Sequence, residues 1–359
     1  MGKNMLIGFL LIAGLLFLTS SAYSQNEKET EKIVNISGFV QTHLYTDLDP
    51  PANLPDKTYD FYIKRVRLFF SGQINDKIKF FVGTLNAGYG KTGDFSARTW
   101  IADAWLEFNF SKKFKINIGQ VKLPFTRHMQ QSGASLHGLD FHGSFIKYPQ
   151  NSTHRDQGVV FRGLLMNDKF DYRFAIVDGL DPAATVVPRD NDYPRIVGRF
   201  GYNVFDAEPD YFWAGTYLGK KKLLSFGASF DYQSAMKGTK MNEAYSAFGI
   251  DALLEYPIDS AWITSTLNYY SFGEGGALPE GSGYWTDLGV RFNKIEPIIS
   301  IENYEPDKGD TGKRKVLLAG INYWLEGHTT NIKFQYGTEK LDGADESHDI
   351  LLIQVQVKF

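Results

Sequence analysis

Residues 61–74 read FYIKRVRLFFSGQI, and the place of the two arginines in that run decides what kind of chain this is. Side chains alternate along a strand, so Tyr62, Val66, Leu68 and Phe70 fall on one face and Arg65, Arg67 and Ser71 on the other. A soluble sandwich seldom aims two guanidiniums at its core, because buried charge is costly unless paired. A strand standing between lipid and a watery lumen has a use for both faces.

The same two-faced alternation recurs along the chain. Ile78, Phe80 and Val82 oppose Lys77 and Lys79, and Ala102, Ala104, Leu106 and Phe108 oppose Asp103 and Glu107. Phe170, Tyr172, Phe174 and Ile176 oppose Asp171 and Arg173, and Leu351 to Phe359 alternate with Gln354, Gln356 and Lys358. Counting from 33–44 to 348–359 gives about sixteen segments, an even number as a single-chain bacterial barrel requires. The spacing predicts an all-β, transmembrane, antiparallel up-and-down barrel with one long loop folded inward.

Connection lengths support that reading independently of hydrophobicity. Tight turns at 75–77, 111–113, 166–169, 257–259, 293–294 and 326–328 alternate with longer polar loops, as periplasmic turns alternate with external loops. One connection, 206–222, is too long for its place on the periplasmic side and is read as an insertion. Aromatic residues near strand ends, Trp100, Phe110, Tyr202, Trp262, Tyr269, Tyr270, Tyr323 and Trp324, are read as interfacial girdles.

Aromatic residues make up 15% of the 359-residue chain and Gly numbers 35, yet the mean hydropathy is only -0.27. Past the N-terminus no apolar run reaches the roughly 20 residues of a spanning helix. Residues 1–24 read as a secretory signal, with Lys3, the apolar run Met5 to Leu18, and Ala22-Tyr-Ser24 before Gln25. Residues 25–359 then form one barrel domain. With no cysteine in the chain, an acylated N-terminal cysteine and disulfides are excluded. A formal charge of -3 gives no reason to expect nucleic acid as a partner.

A barrel of this size leaves an aqueous lumen, and inward side chains set what passes. The inward basic set is Arg65, Arg67, Lys79, Lys115, Arg162, Arg173, Arg195 and Arg199, all in the first half, with Lys113 beside them. Asp251, Glu255, Asp287, Glu296 and Glu302 lie in the second half, so a transverse field and an anion path along the basic wall are expected. Asp103, Glu107 and Asp171 fall within the basic arc and weaken it.

The longest loop, 123–155, is the expected constriction. It carries Arg127, His128, His137, His142, Lys147, His154 and Arg155 and holds four of the chain's seven histidines. Ordinary imidazoles titrate near 6.5, so anion preference is expected to rise on acidification.

The chemistry of other classes finds little purchase. His137-x-x-Asp140-x-His142 is a weak metal pattern off a helix, and neither a metal nor a cofactor is expected. His154-Arg-Asp156 lacks every companion of a kinase loop, and no phosphate-binding glycine loop or nucleophile elbow occurs. Ser144 or Asp140 with His142 is the nearest approach to a hydrolase constellation. Against that alternative, and an adhesion barrel, the expectation is no catalytic residue and passive, anion-preferring diffusion of small hydrophilic solutes, with a general non-selective channel as the alternative.

Several stretches together resemble one family: FYIKRVRLFFSGQI at 61–74, IGQVKLPF at 118–125, HRDQGVVFRG at 154–163, GRFGYNVF at 198–205 and YFWAGTYLGKKKLLSFGASFDYQ at 211–233. They are similar to the phosphate-selective porin O and P family. That resemblance implies a trimeric sixteen-stranded outer-membrane porin, surrounded by lipid, whose loops enter the lumen and whose basic residues line a path for inorganic anions, phosphate or polyphosphate among them. Arg65, Arg67, Arg162 and Arg199 sit within the matching stretches. The long loop departs from the family pattern, carrying histidine and amide residues where dense basic residues are expected. A terminal aromatic, Phe359, also resembles the sorting signal of such barrels.

Overall fold

The computed structural model describes residues 34–50, 59–142, 154–179, 193–236, 243–273, 280–310, 312–340 and 346–359. The expected signal segment lies outside them, as does Lys147.

Sixteen strands close into one antiparallel barrel, each hydrogen-bonded to its sequence neighbours, with β1 (Val34–Asp47) sealed against β16 (His348–Lys358). The strands run in order through β2 (Tyr59–Asn75), β3 (Ile78–Tyr89), β4 (Trp100–Ser111), β5 (Phe114–Lys122), β6 (Arg155–Leu165), β7 (Phe170–Val177) and β8 (Arg195–Asn203). The second half comprises β9 (Leu223–Met236), β10 (Glu243–Ile258), β11 (Ala261–Phe272), β12 (Gly281–Arg291), β13 (Ile295–Pro306), β14 (Arg314–Tyr323) and β15 (Thr330–Lys340). The expected class and connection parity are both present. Closure leaves no unpaired sheet edge, the condition for strands to cross hydrocarbon.

Local chemistry fixes the tight end. Asn75 closes the β2–β3 turn by accepting from the backbone N–H of Lys77 at 3.0 Å and of Ile78 at 2.9 Å. Outside, Leu106, Phe200, Phe226, Leu267, Leu288 and Ile321 are exposed, while their strand neighbours Glu107, Arg199, Ser225, Thr266, Asp287 and Asn322 are buried inside. The outer belt is lipid-facing and the inner wall polar.

Two expectations of facing are corrected. Gln41 pairs with Arg65 but Thr42 pairs with Ile63, so Lys64 is an extra residue in β2. A one-residue bulge reverses the alternation, and Tyr62 is buried within the barrel instead of sharing the lipid face of Leu68. In the girdles, Tyr269 and Tyr323 are exposed but Tyr270 and Trp324 are buried. Adjacent aromatics in a strand cannot share a face, so one of each pair turns inward.

Candidate functional site

The described part of the long loop crosses the lumen. After β5 a single helical turn, α1 (Thr126–Gln130), rests on the wall: Thr126 N–H donates to Ser229 Oγ at 2.9 Å and Arg127 N–H to Asp251 at 3.0 Å. A Cβ on Gly249 would sit 2.6 Å from the Thr126 methyl, so glycine permits this approach. The chain then reaches the far wall. Lys333 Nζ donates to the carbonyls of Leu136 and Gly138 at 2.7 and 2.6 Å, Asn322 to that of His137 at 3.0 Å, and Gln41 to that of Gly133 at 2.9 Å.

Segment 206–222 joins β8 and β9 at the short-turn end and meets that loop inside. Trp213 N–H donates to the Gln130 carbonyl and Ser132 N–H to the Trp213 carbonyl, both at 3.0 Å, making a parallel bridge. Gly215 N–H donates to Ser135 at 2.6 Å. The Trp213 ring lies under three guanidiniums, with Arg173, Arg199 and Arg127 at 3.9, 4.8 and 5.7 Å from its centroid. Glu255 accepts the N–H groups of Tyr217 and Gly219, both at 2.6 Å. Sequence reasoning flagged the excess length here but missed Glu208, Tyr211 and Trp213 as lumen residues. Their aromatic density in a turn position was the available signal.

The basic wall is mostly neutralised by neighbours. Asp103 takes both Arg67 and Arg155, with Arg155 Nε at 2.7 Å. Arg162 pairs with Glu107 and donates to the Pro209 carbonyl at 3.0 Å. Arg173 donates to Gln130 Oε1 at 2.8 Å and the Tyr211 carbonyl at 2.7 Å. Arg195 pairs with Asp231, and Arg199 with Asp251, their Nε atoms at 2.8 and 2.9 Å. Two opposed arcs facing across open water are therefore not what the structure shows, because carboxylates within reach of each arginine win over a field spread across the pore. Lys79 is exposed and Lys115, half-buried, is paired in register with Arg162 toward the short-turn end.

The loop histidines divide into two kinds. His142 is pulled down by burial but held harder by Asp287, 3.3 Å from Nε2, and by Glu302, 3.5 Å from Nδ1, which lift it to about 9. His137 is likewise opposed by burial and raised by Glu296 at 3.2 Å. Burial, with basic neighbours, pushes His128 and His154 well below the ordinary value. None of the four sits at the ordinary imidazole value: carboxylates shift His137 and His142 up, and burial shifts His128 and His154 down. The Asp140 carboxylate, although burial opposes its ionisation, is held far below the usual range by Arg65 and Lys64, and is thus committed to them rather than to His142. Ser144 lies outside the described residues.

Two of the cavities lined by the described residues lie between loop and wall. The first, about 350 Å³, is lined by Lys64, Arg65, Arg67, Lys91, Lys122 and Arg155, with His154, Tyr62, Trp100 and Phe141 and, among the described residues, no carboxylate. Lys122 Nζ also donates to the Met129 carbonyl at 2.6 Å, so its place depends on the loop. The second, about 320 Å³, shares Tyr62, Lys64, Lys91 and Phe141 with it and is otherwise mixed. Of the expected path residues, Arg65 and Arg67 line the first cavity and Arg162, Arg173, Arg195 and Arg199 line neither.

Comparisons with known proteins agree with this architecture. The sequence profile of the family described as phosphate-selective porin O and P matches residues 35–136, bearing out the resemblance over that span. An uncharacterized protein of Aquifex aeolicus is 22% identical over 344 residues, covering 84% of this chain and 80% of that protein. Among solved structures, an anion-selective porin from Comamonas acidovorans superposes with a TM-score of 0.64 at 15% identity, covering 92% of this chain and all of that one. The OmpF of Salmonella typhi in complex with daunomycin gives 0.60 at 11% identity over 91% of this chain and all of its own. A trimer form of the outer membrane protein OmpT of Vibrio cholerae gives 0.56 at 14% identity, covering 92% of this chain and all of that one. The chain is a porin-type β-barrel of a bacterial outer membrane.

Proposed function

We propose that the barrel is a passive channel preferring small anions, phosphate among them, and that the 350 Å³ basic cavity is where the preference is set. The observation that carries this reading is that cavity's lining, among the described residues, of six basic side chains and no carboxylate. Asp103, paired with Arg67 and Arg155, and Asp140, which lines the neighbouring cavity and pairs with Lys64 and Arg65, offset part of that charge and leave Lys91 and Lys122 outside those pairs. A cation about 4 Å from an anion is worth roughly 4 kcal/mol at an effective dielectric of about 20, so even partial compensation leaves an attractive well. The family match and the anion-selective structural relative support the same direction, and by the same resemblance we propose that the chain assembles as a homotrimer.

The pairing of Arg162, Arg195 and Arg199 favours a second reading, a general channel with little selectivity. Reversal potential across a potassium chloride gradient in a planar bilayer decides between them: an anion-selective sign supports the first, and a potential near zero leaves the second. Phosphate titrated into chloride should then depress single-channel conductance.

A further inference from the structure

Beside the basic cavity the second one has a different character. One side carries Glu302 and Glu339, bridged by Arg314 at 3.2 and 2.6 Å, with Gln335 donating to Ser300 Oγ at 3.1 Å. The other side is Tyr45, Val316, Leu318, Ile350 and Leu352, apolar and packed as a cluster. An inorganic anion gains little in such a chamber: Arg314 is taken up by Glu302 and Glu339 and Lys64 by Asp140, and an aliphatic wall offers it no hydrogen bond. Hydroxyl groups on a carbon skeleton fit it well, with acceptors and an amide on one side and a surface for C–H groups on the other.

The two chambers are neighbours with lining in common. Lys64 and Lys91 line each, as do the Tyr62 and Phe141 rings, and Lys91 Nζ lies 6.0 and 5.7 Å from the centres of Tyr45 and Tyr62. A solute with a compact anionic head and an uncharged polyol body would place the head among Arg65, Arg67 and Arg155 and the body against Gln335, Ser300 and Leu318. Planar guanidiniums grip the oxygens of a phosphate in pairs, and several can converge on one tetrahedral head.

We infer that the two chambers form one binding site for a phosphate monoester of a small polyol, with sugar phosphates as the chemical class that uses both. This rests on the anion-channel reading above and narrows it from inorganic ions to organic phosphates.

The test is block of chloride current in planar bilayers by glucose 6-phosphate, inorganic phosphate, galacturonate and glucose. Glucose 6-phosphate should reach half-block at a concentration at least ten-fold below inorganic phosphate, with glucose inert. Gln335→Leu should raise the half-blocking concentration of glucose 6-phosphate about five-fold and leave inorganic phosphate unchanged. Should that variant not insert, Glu339→Gln serves the same comparison. Equal block by glucose 6-phosphate and inorganic phosphate would overturn the inference while leaving an anion channel. Equal block by galacturonate would overturn the phosphate assignment, and an unchanged glucose 6-phosphate response in the variant would overturn the role of the second chamber. A current with no anion preference and no block by either phosphate would instead remove the channel reading itself.

Discussion

Arg127 grips Glu208 with two nitrogens, Nε lying 3.1 Å from Oε2 and Nη2 pairing with Oε1, and so joins a loop entering from one end of the barrel to a segment entering from the other. Both side chains are buried. Removing one partner of such a pair costs roughly 3–5 kcal/mol, chiefly from the charge left behind. Glu208→Ala should therefore unseat the loop while the strands stay closed. Single-channel recording should show larger and noisier conductance, with the folded band on an unheated gel unchanged; a conductance like the parent's would mean the pair does not hold the constriction.

Gly215 passes so near the loop that an added Cβ would lie 2.3 Å from the His137 amide nitrogen. Gly215→Val should push the two segments apart at the cost of the Gly215–Ser135 hydrogen bond, on the order of 1 kcal/mol, plus the strain of overpacking. Proteolysis of intact protein in detergent should then cut within 206–222 faster than in the parent. Equal cutting rates would show that the contact yields without loosening.

Lys91 is exposed at the mouth and lines both chambers, so its charge can be changed without disturbing a buried pair. A two-unit change at about 8 Å in water is worth about 1 kcal/mol, or about five-fold in a permeability ratio. Lys91→Glu should shift the reversal potential toward cations by that factor with the folded state unaffected. Lys315→Glu, on the membrane-facing side of β14, is the matched control.

Between pH 7.5 and 6.0 ion selectivity should stay nearly flat, since no loop histidine titrates at its ordinary value. The raised His142 contributes stability that is complete below pH 6.5 and is lost as pH climbs through about 9. Lowered His128 and His154 act with the opposite sense, opposing the seated loop once pH falls below 6.5. Conductance noise measured from pH 4 to 10 should be least between about 6.5 and 8. A steep selectivity change between pH 7 and 6 would contradict the assignment.

Strand number, order and turn parity were legible because a two-faced wall imposes period 2 on residues such as Leu106 and Glu107 wherever it occurs. Lys64 shows where that legibility stops: a bulge looks like any strand residue in sequence, yet it turns Tyr62 from lipid to lumen. Charge sign was equally readable, but pairing was not. Asp103 lies 36 residues from Arg67 and 52 from Arg155, and only the closed sheet brings all three together. The histidines were visible as a cluster, while Asp287, Glu296 and Glu302, which raise His137 and His142, come from the opposite wall. Segment 206–222 stood out by its length and its aromatic residues, but nothing in its residues names Gln130 or Ser135 as partners.

The bridge between Trp213 and residues 130–132 has a thermal corollary. The wall is a continuous ladder of main-chain bonds with no free edge, whereas the material across its middle is held by scattered side-chain hydrogen bonds, ion pairs and a short bridge. Parts of unequal local stability open separately. On warming, the middle should let go while the cylinder still stands, so that the protein passes through a wider, less discriminating tube before it melts.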